Sequence, residues 1–220
     1  MVFYMIKDVL FQSENYCQIS WQEVFNMSSV AVVDNNSFFG LGNSKGLIMH
    51  SENINFENDI VLLTKSSVTA ISVKCLKPMP LSFLNEAGMF LSQLTVDVTN
   101  KNKSNLYEVF INKIVANIFI ACKKIAVYTH EHLSNRYYEN KRIVNLDVVQ
   151  SHFSDCMIIL SRVEQLIKLS IKTDQISFLL KQLMNLLVIL SRLAGARAVL
   201  KNNAIEFLFF IRLFEKFIEV

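Results

Sequence analysis

The 220-residue chain is 52% hydrophobic, enough to build a substantial core as one large or two small domains, and this excludes a disordered chain. Its 22 basic and 19 acidic residues leave a net charge of only +3, so no overall field points to nucleic acid or an anionic membrane. Any anion site must be local. The four cysteines, Cys17, Cys75, Cys122 and Cys156, are scattered with no zinc-type spacing, and read as reduced thiols of a cytoplasmic protein without a metal site.

The N-terminal stretch MVFYMIKDVLFQ lacks the basic start, apolar run and small-residue cleavage site of a signal peptide. Short β-branched and aromatic runs follow at Val2–Ile6, Ser29–Val33, Gly46–His50, Val61–Leu63 and Val68–Val73, parted by the turn clusters DNNS at 34–37 and GLGNS at 40–44. They predict a small antiparallel sheet over residues 1–76. GLGNSKG at 40–46 lacks phosphate-loop spacing and reads as a turn between strands. KPMP at 77–80 holds both prolines of the chain and disfavours continuing a strand or a helix, so it marks the boundary to a second region, 81–220.

Beyond Pro80 the apolar residues recur at three and four, as in Leu106, Val109, Phe110, Ile114, Ile118 and Phe119. This period predicts long helices at about 82–97, 104–135, 145–170 and 174–195, with a shorter one near 203–218. Short polar connections imply antiparallel neighbours, hence a four-helix bundle and an α+β, mostly α fold. The run Ile111–Ala121 is apolar enough to need neighbours on most sides. The most apolar windows, Ile176–Leu190 and Ala204–Ile218, are interrupted by Lys181, Gln182 and Asn185 and by Glu206, Arg212, Glu215 and Lys216. Neither offers the roughly 18 uninterrupted apolar residues of a membrane span.

His130 and His132 lie two apart and point about 200° apart on a helix, which rules against joint metal ligation. No serine, histidine and acid combination stands out for nucleophilic catalysis. Arg136 opens a turn with Lys141 and Arg142, which by itself reads as a solvated basic loop, and Asp155 reads as a helix-face acid.

Three local stretches are more specific. FFGLGNSKGLIMHSENINFENDIVLL, Phe38 to Leu63, resembles the end of the middle β-domain of the acyl-CoA dehydrogenase family, although the proline of that family's N-V-x-V-P-like segment is missing. HLSNRYYENKRIVNLDVVQSHFSD, His132 to Asp155, resembles the family's pattern of an arginine, an aromatic–glycine pair, an aliphatic, a glutamine and V-Q-x-x-L-A-D. Arg136, Ile143, Val149, Gln150 and Asp155 match it, while Glu139 and Asn140 stand at the aromatic–glycine pair and Asp147 at the glutamine. LAGARAVLKNNAIEFLFFIRLF, Leu193 to Phe214, resembles the family's glycine-rich element followed by P-I-E-R-x-x-R-D-x-R; Phe207 and Phe210 replace its first two arginines and Arg212 remains.

The resemblance implies that the chain begins within the β-domain and carries the C-terminal bundle, with FAD lying between the two. Arg136, Asp147 and Gln150 would be its cofactor-binding residues, Arg136 reaching the diphosphate of a neighbouring subunit with the fixed donor fork of a guanidinium. The family's chemistry, α,β-dehydrogenation of an acyl thioester in lipid metabolism, needs a carboxylate base. Near the C-terminus its expected position is Ile218, and Glu219 beside it is the catalytic candidate. A second lineage carries the base on the long second helix, where Glu108 lies about half a turn off. The implied assembly is a homo-oligomer, or a hetero-oligomer with a subunit supplying the N-terminal half. A catalytically silent assembly module is the alternative.

Overall fold

A computed structural model of the chain describes residues 24, 38–42, 47–50, 59–64, 67–79, 90–95, 106–169, 171–200 and 203–218. Six strands come first: β1 (Phe38–Gly42), β2 (Leu47–His50), β3 (Asp59–Thr64), β4 (Ser67–Ser72), β5 (Leu76–Met79) and β6 (Phe90–Leu94). They form one sheet in the order β4-β3-β1-β2-β6-β5. Every pairing is antiparallel except β1 with β3, which run parallel. The predicted strands at Val2–Ile6 and Ser29–Val33 lie outside the described residues.

Three expectations are corrected here. Phe38–Gly42, partly assigned to a turn cluster, is strand β1, paired on both sides. The KPMP boundary is crossed by the sheet: β5 contains Lys77, Pro78 and Met79. Proline cannot donate to a ladder, but β5 is the last strand of the sheet, and an edge strand has one side on which no donor is required. The helix expected over 82–97 fails at Phe90–Leu94, which is strand β6 between β2 and β5. Five residues of mostly apolar sequence carry no decisive period, and the flanking strands supply the hydrogen bonds that settle the choice.

Ile48 and Met49 are buried in β2, opposite Ser92 and Leu91 of β6. Cys75, Leu76 and Leu94 pack against Ile48. Thr95 closes this corner twice: its backbone N–H and its hydroxyl both donate to the Cys75 carbonyl, at 2.9 and 2.8 Å.

Four helices follow, α1 (Leu106–Ser134), α2 (Asp147–Lys168), α3 (Thr173–Ala194) and α4 (Ala204–Phe217). The fold is α+β and mostly α, as the apolar periodicity predicts. The described chain falls into two compact units; one holds the sheet, α1 through Asn117 and the end of α4 from Arg212, and the other holds Ile118–Ile211.

Burial explains the helix boundaries. In α1, Phe110, Ile111, Ile114, Val115, Ile118, Cys122 and Ile125 are all buried and share one broad face, roughly 140° wide. α2 buries Val149, Phe153, Cys156, Leu160 and Val163 at alternating intervals of four and three, a single stripe. α3 does the same with Ile176, Leu179, Leu180, Leu183, Leu186, Leu187 and Leu190. Asp174–Val199 is long and apolar enough by composition to cross a membrane. Yet Lys181, Asn185 and Arg192 are exposed opposite its buried leucines, the one-sided pattern of a helix packed on a protein core.

At the start of α3 the Gln175 side chain accepts the Lys172 N–H at 3.3 Å, and the Gln175 N–H donates to the Lys172 carbonyl. This ties down donors that a helix start leaves unmet. α3 ends at Gly195, whose φ of +57° is strained for any side chain and lets the chain turn into a 3-10 segment, Gly195–Val199.

Leu183 is fully buried at the middle of the α3 stripe. Leu183→Ala is expected to lower unfolding free energy by about 2–5 kcal/mol through lost burial and a residual cavity. Urea denaturation measures it, and a loss below about 1 kcal/mol would contradict this placement.

Candidate functional site

The connection between α1 and α2 carries most of the residues singled out in the sequence. α1 stops at Ser134, and the Arg136 N–H turns back to the Leu133 carbonyl at 3.3 Å. The Arg136 carbonyl in turn accepts the Ile143 N–H at 2.9 Å, closing a small hairpin. Its strands are β7 (Tyr137–Tyr138) and β8 (Lys141–Arg142); the sequence leads one to expect strands only before residue 77, and this short pair falls in the connection between the helices expected at 104–135 and 145–170. The turning residues Glu139 and Asn140 both have positive φ, 46° and 65°. Two such residues define the primed turn that matches strand twist. Asn140 stands where the family resemblance places glycine, and asparagine is the side chain that best tolerates this conformation.

All of 135–142 is exposed, Arg136 included. Arg142 Nε donates to Tyr137 Oη at 3.3 Å along the hairpin. Asp147 is the exposed first residue of α2, where a carboxylate complements the positive end of the helix. Gln150 lies three residues on, half-buried; its N–H completes the helix start on the Leu146 carbonyl at 2.9 Å. The hairpin ties Arg136 to Ile143, which lies four residues before Asp147 in the chain, but neither Arg136 nor Asp147 is in an ion pair among the described residues. Glu219 lies outside the described residues; its neighbour Ile218 is buried. Phe207 and Phe210, at the two arginine positions of the resemblance, are buried in α4 and offer no charge to a ligand.

Sequence reasoning missed one participant. Arg197, in the 3-10 turn after α3, donates from Nη1 to Tyr128 Oη on α1 at 3.2 Å, a contact spanning 69 residues. No local period or spacing announces it. Between Tyr128 and Arg136 lies His132, whose pKa is held below its ordinary value by burial, then by the Arg197 charge, then by that of Arg136. Two guanidinium groups from distant segments thus bear on one imidazole.

Two neighbouring groups are structural. His130 packs edge-on against Phe153 of α2, with ring centroids 5.2 Å apart, and burial lowers its pKa. Burial raises the pKa of both Cys122 and Cys156, the latter, also beside Asp155, to about 12. Neither is a nucleophile at neutral pH.

No protein-family model matches the sequence, and a search of curated proteins returns no match. Solved structures do match. A glutaryl-CoA dehydrogenase from Mycobacterium smegmatis, in complex with FADH2, superposes with a TM-score of 0.54 at 11% identity, covering 80% of this chain and 60% of that one. A steroid ACAD variant gives 0.59 at 10% identity, with 87% and 62% covered. FkbI, for biosynthesis of a methoxymalonyl extender unit, gives 0.54 at 9% identity, with 88% and 73% covered. This is an acyl-CoA dehydrogenase-like fold. The chain spans about three fifths of the length of the first two structures. At such identities the likeness to these structures is one of fold, and what each residue does rests on its own geometry.

Two outcomes follow from the geometry of this connection. Replacing Glu139-Asn140 by Asn-Gly gives the primed turn its preferred residues, and should raise the melting temperature by about 2–4 °C, equivalent to roughly 1 kcal/mol. An unchanged or lower melting temperature would place the turn elsewhere. For His130, the folded pKa lies below the unfolded 6.5, so the unfolded chain binds more protons between the two values and stability falls as pH drops below about 6.5. His130→Gln should flatten that acid limb in melting curves taken across pH 5–7. Parallel pH profiles for the two proteins would refute the assignment.

Proposed function

We propose that the chain is an acyl-CoA dehydrogenase-like subunit, a partial β-domain and C-terminal bundle that completes an FAD site with a partner and takes part in α,β-dehydrogenation of an acyl thioester. The observation carrying this reading is the exposed Arg136 at the end of α1, with no ion pair among the described residues, on a fold shared with acyl-CoA dehydrogenases. Its fork suits a diphosphate oxygen pair, and the hairpin's backbone bond to Ile143 fixes where the side chain starts. Asp147 and Gln150 share the first turn of α2 and would supply hydrogen-bonding groups beside it. Bound flavin would accept the hydride. A carboxylate of this chain, Glu219 on this reading, would take the α-proton of the thioester. The partner would be a second copy or a subunit contributing the N-terminal half, in the cytoplasm.

A second reading, a catalytically silent assembly module, is favoured by the buried Phe207 and Phe210 where the resemblance has arginines. The two readings separate by titrating FAD into the complex purified from its native source and following flavin fluorescence. The enzyme reading expects Arg136→Ala to weaken binding roughly tenfold to hundredfold, and Arg136→Lys to recover part of the loss. Arg142→Ala should have a much smaller effect. Equal affinity for wild type and Arg136→Ala would remove Arg136 from the site; no binding by wild type would leave the assembly module.

A further inference from the structure

We infer that the end of the bundle carrying the hairpin is a docking surface for an anionic lipid membrane, lying among the headgroups without crossing the bilayer. This goes beyond the flavin reading and requires no flavin.

Three segments meet at this end, all within Ile118–Ile211. α2 and α3 have 22 residues each, pack together and are joined only by residues 169–172, so they run antiparallel and the start of α2 lies beside the end of α3. The His130 ring on Phe153, with centroids 5.2 Å apart, sets the last turns of α1 against α2. The Arg197–Tyr128 hydrogen bond at 3.2 Å brings the turn after α3 to the same stretch of α1. Beyond it stands the hairpin, exposed at every residue.

Eight large hydrophobic side chains among the described residues are at least half exposed, and five of them belong to this end: Tyr137, Tyr138, Val148, Val199 and Leu200. They come from separate segments, so no single helix face accounts for them. Within one turn of these helix ends Arg136, Lys141, Arg142, Arg192 and Arg197 are exposed, and none is ion-paired among the described residues. The acids there are Glu131, Glu139 and Asp147, which leaves a local excess of two positive charges out of the chain's +3. That excess complements an anionic surface.

The hairpin register sets Tyr137 opposite Arg142 and Tyr138 opposite Lys141, and opposed residues share a face, so each face carries one phenol and one cation. A protein groove would cover one face of such a ribbon. A headgroup layer surrounds both, taking the amphipathic phenols at the interface and the cations at the phosphates. Val148, Val199 and Leu200 add apolar area that a lipid interface buries and that no nucleic-acid base can stack on.

The test is co-sedimentation of the full chain with vesicles of phosphatidylcholine, alone or with about a third phosphatidylserine. Binding is expected to the anionic vesicles only, and to weaken about tenfold as salt rises from about 0.1 to 0.5 M. Lys141→Ala and Arg142→Ala should each weaken it roughly fivefold. Tyr137→Ser with Tyr138→Ser keeps every charge and should weaken it about tenfold. Leu169→Ser, at the far end of α2, and Arg162→Ala, in its far half, remove exposed groups elsewhere and should each change it less than twofold. Circular dichroism of each variant confirms that it is folded, and Arg136 stays unchanged throughout, so the flavin reading stands or falls separately. Equal binding to neutral vesicles, a loss in Leu169→Ser or Arg162→Ala as large as in the hairpin variants, or no sedimentation at millimolar anionic lipid would each overturn the inference. In the last case, binding of a single-stranded oligonucleotide would assign this end to nucleic acid, and self-association would assign it to a second copy of the chain.

Discussion

The structure depends on the burial of α1. A helix of 29 residues with a broad buried apolar face along its length cannot stand alone in water, so other elements must cover that face. The helix contributes to both compact units, changing from one to the other at Asn117–Ile118. Its exposed positions Glu108, Val109, Lys113 and Ile120 occupy a limited part of the surface. Thr129, a polar residue deep in this helix, is accommodated because its hydroxyl donates to the Ile125 carbonyl one turn back at 2.8 Å.

Where α1 comes to an end, its character changes from apolar to cationic over a few residues. Leu133 is the last buried side chain, and from Asn135 to Arg142 everything is exposed. Burial upstream fixes the direction of the helix end, and the Arg136–Ile143 backbone bond fixes the departure of the chain from it. A cationic side chain just beyond a helix C-terminus is also favoured by the negative end of the helix dipole. The arginine therefore has structural reasons to be tolerated here, and its fixed base and exposed head are what a binding role would use. The buried phenylalanines of α4 act the other way: Phe207 and Phe210 add to the core at positions where the resemblance has arginines.

The sheet shows a second kind of constraint. β5 and β6 lie at one edge, β4 at the other, and β1 with its neighbours in between. A proline is tolerable at β5 only because of that position, and β6 is a strand only because β2 and β5 bond to it on either side. Neither property belongs to the local sequence.

The sequence by itself determined the four helices after residue 104, to within two residues at each boundary, and the place of Arg136 at the end of the first. The reason is that helical hydrogen bonds are local and a one-sided core imposes a period that survives in any reading of the chain, as in Val149, Phe153, Cys156, Leu160 and Val163. Tertiary structure alone decided that Phe90–Leu94 is a strand, that β1 and β3 run parallel, and that Arg197 lies on Tyr128. A strand takes its hydrogen bonds from residues remote in sequence, and a side-chain contact spanning 69 residues depends on where two helices bring their ends.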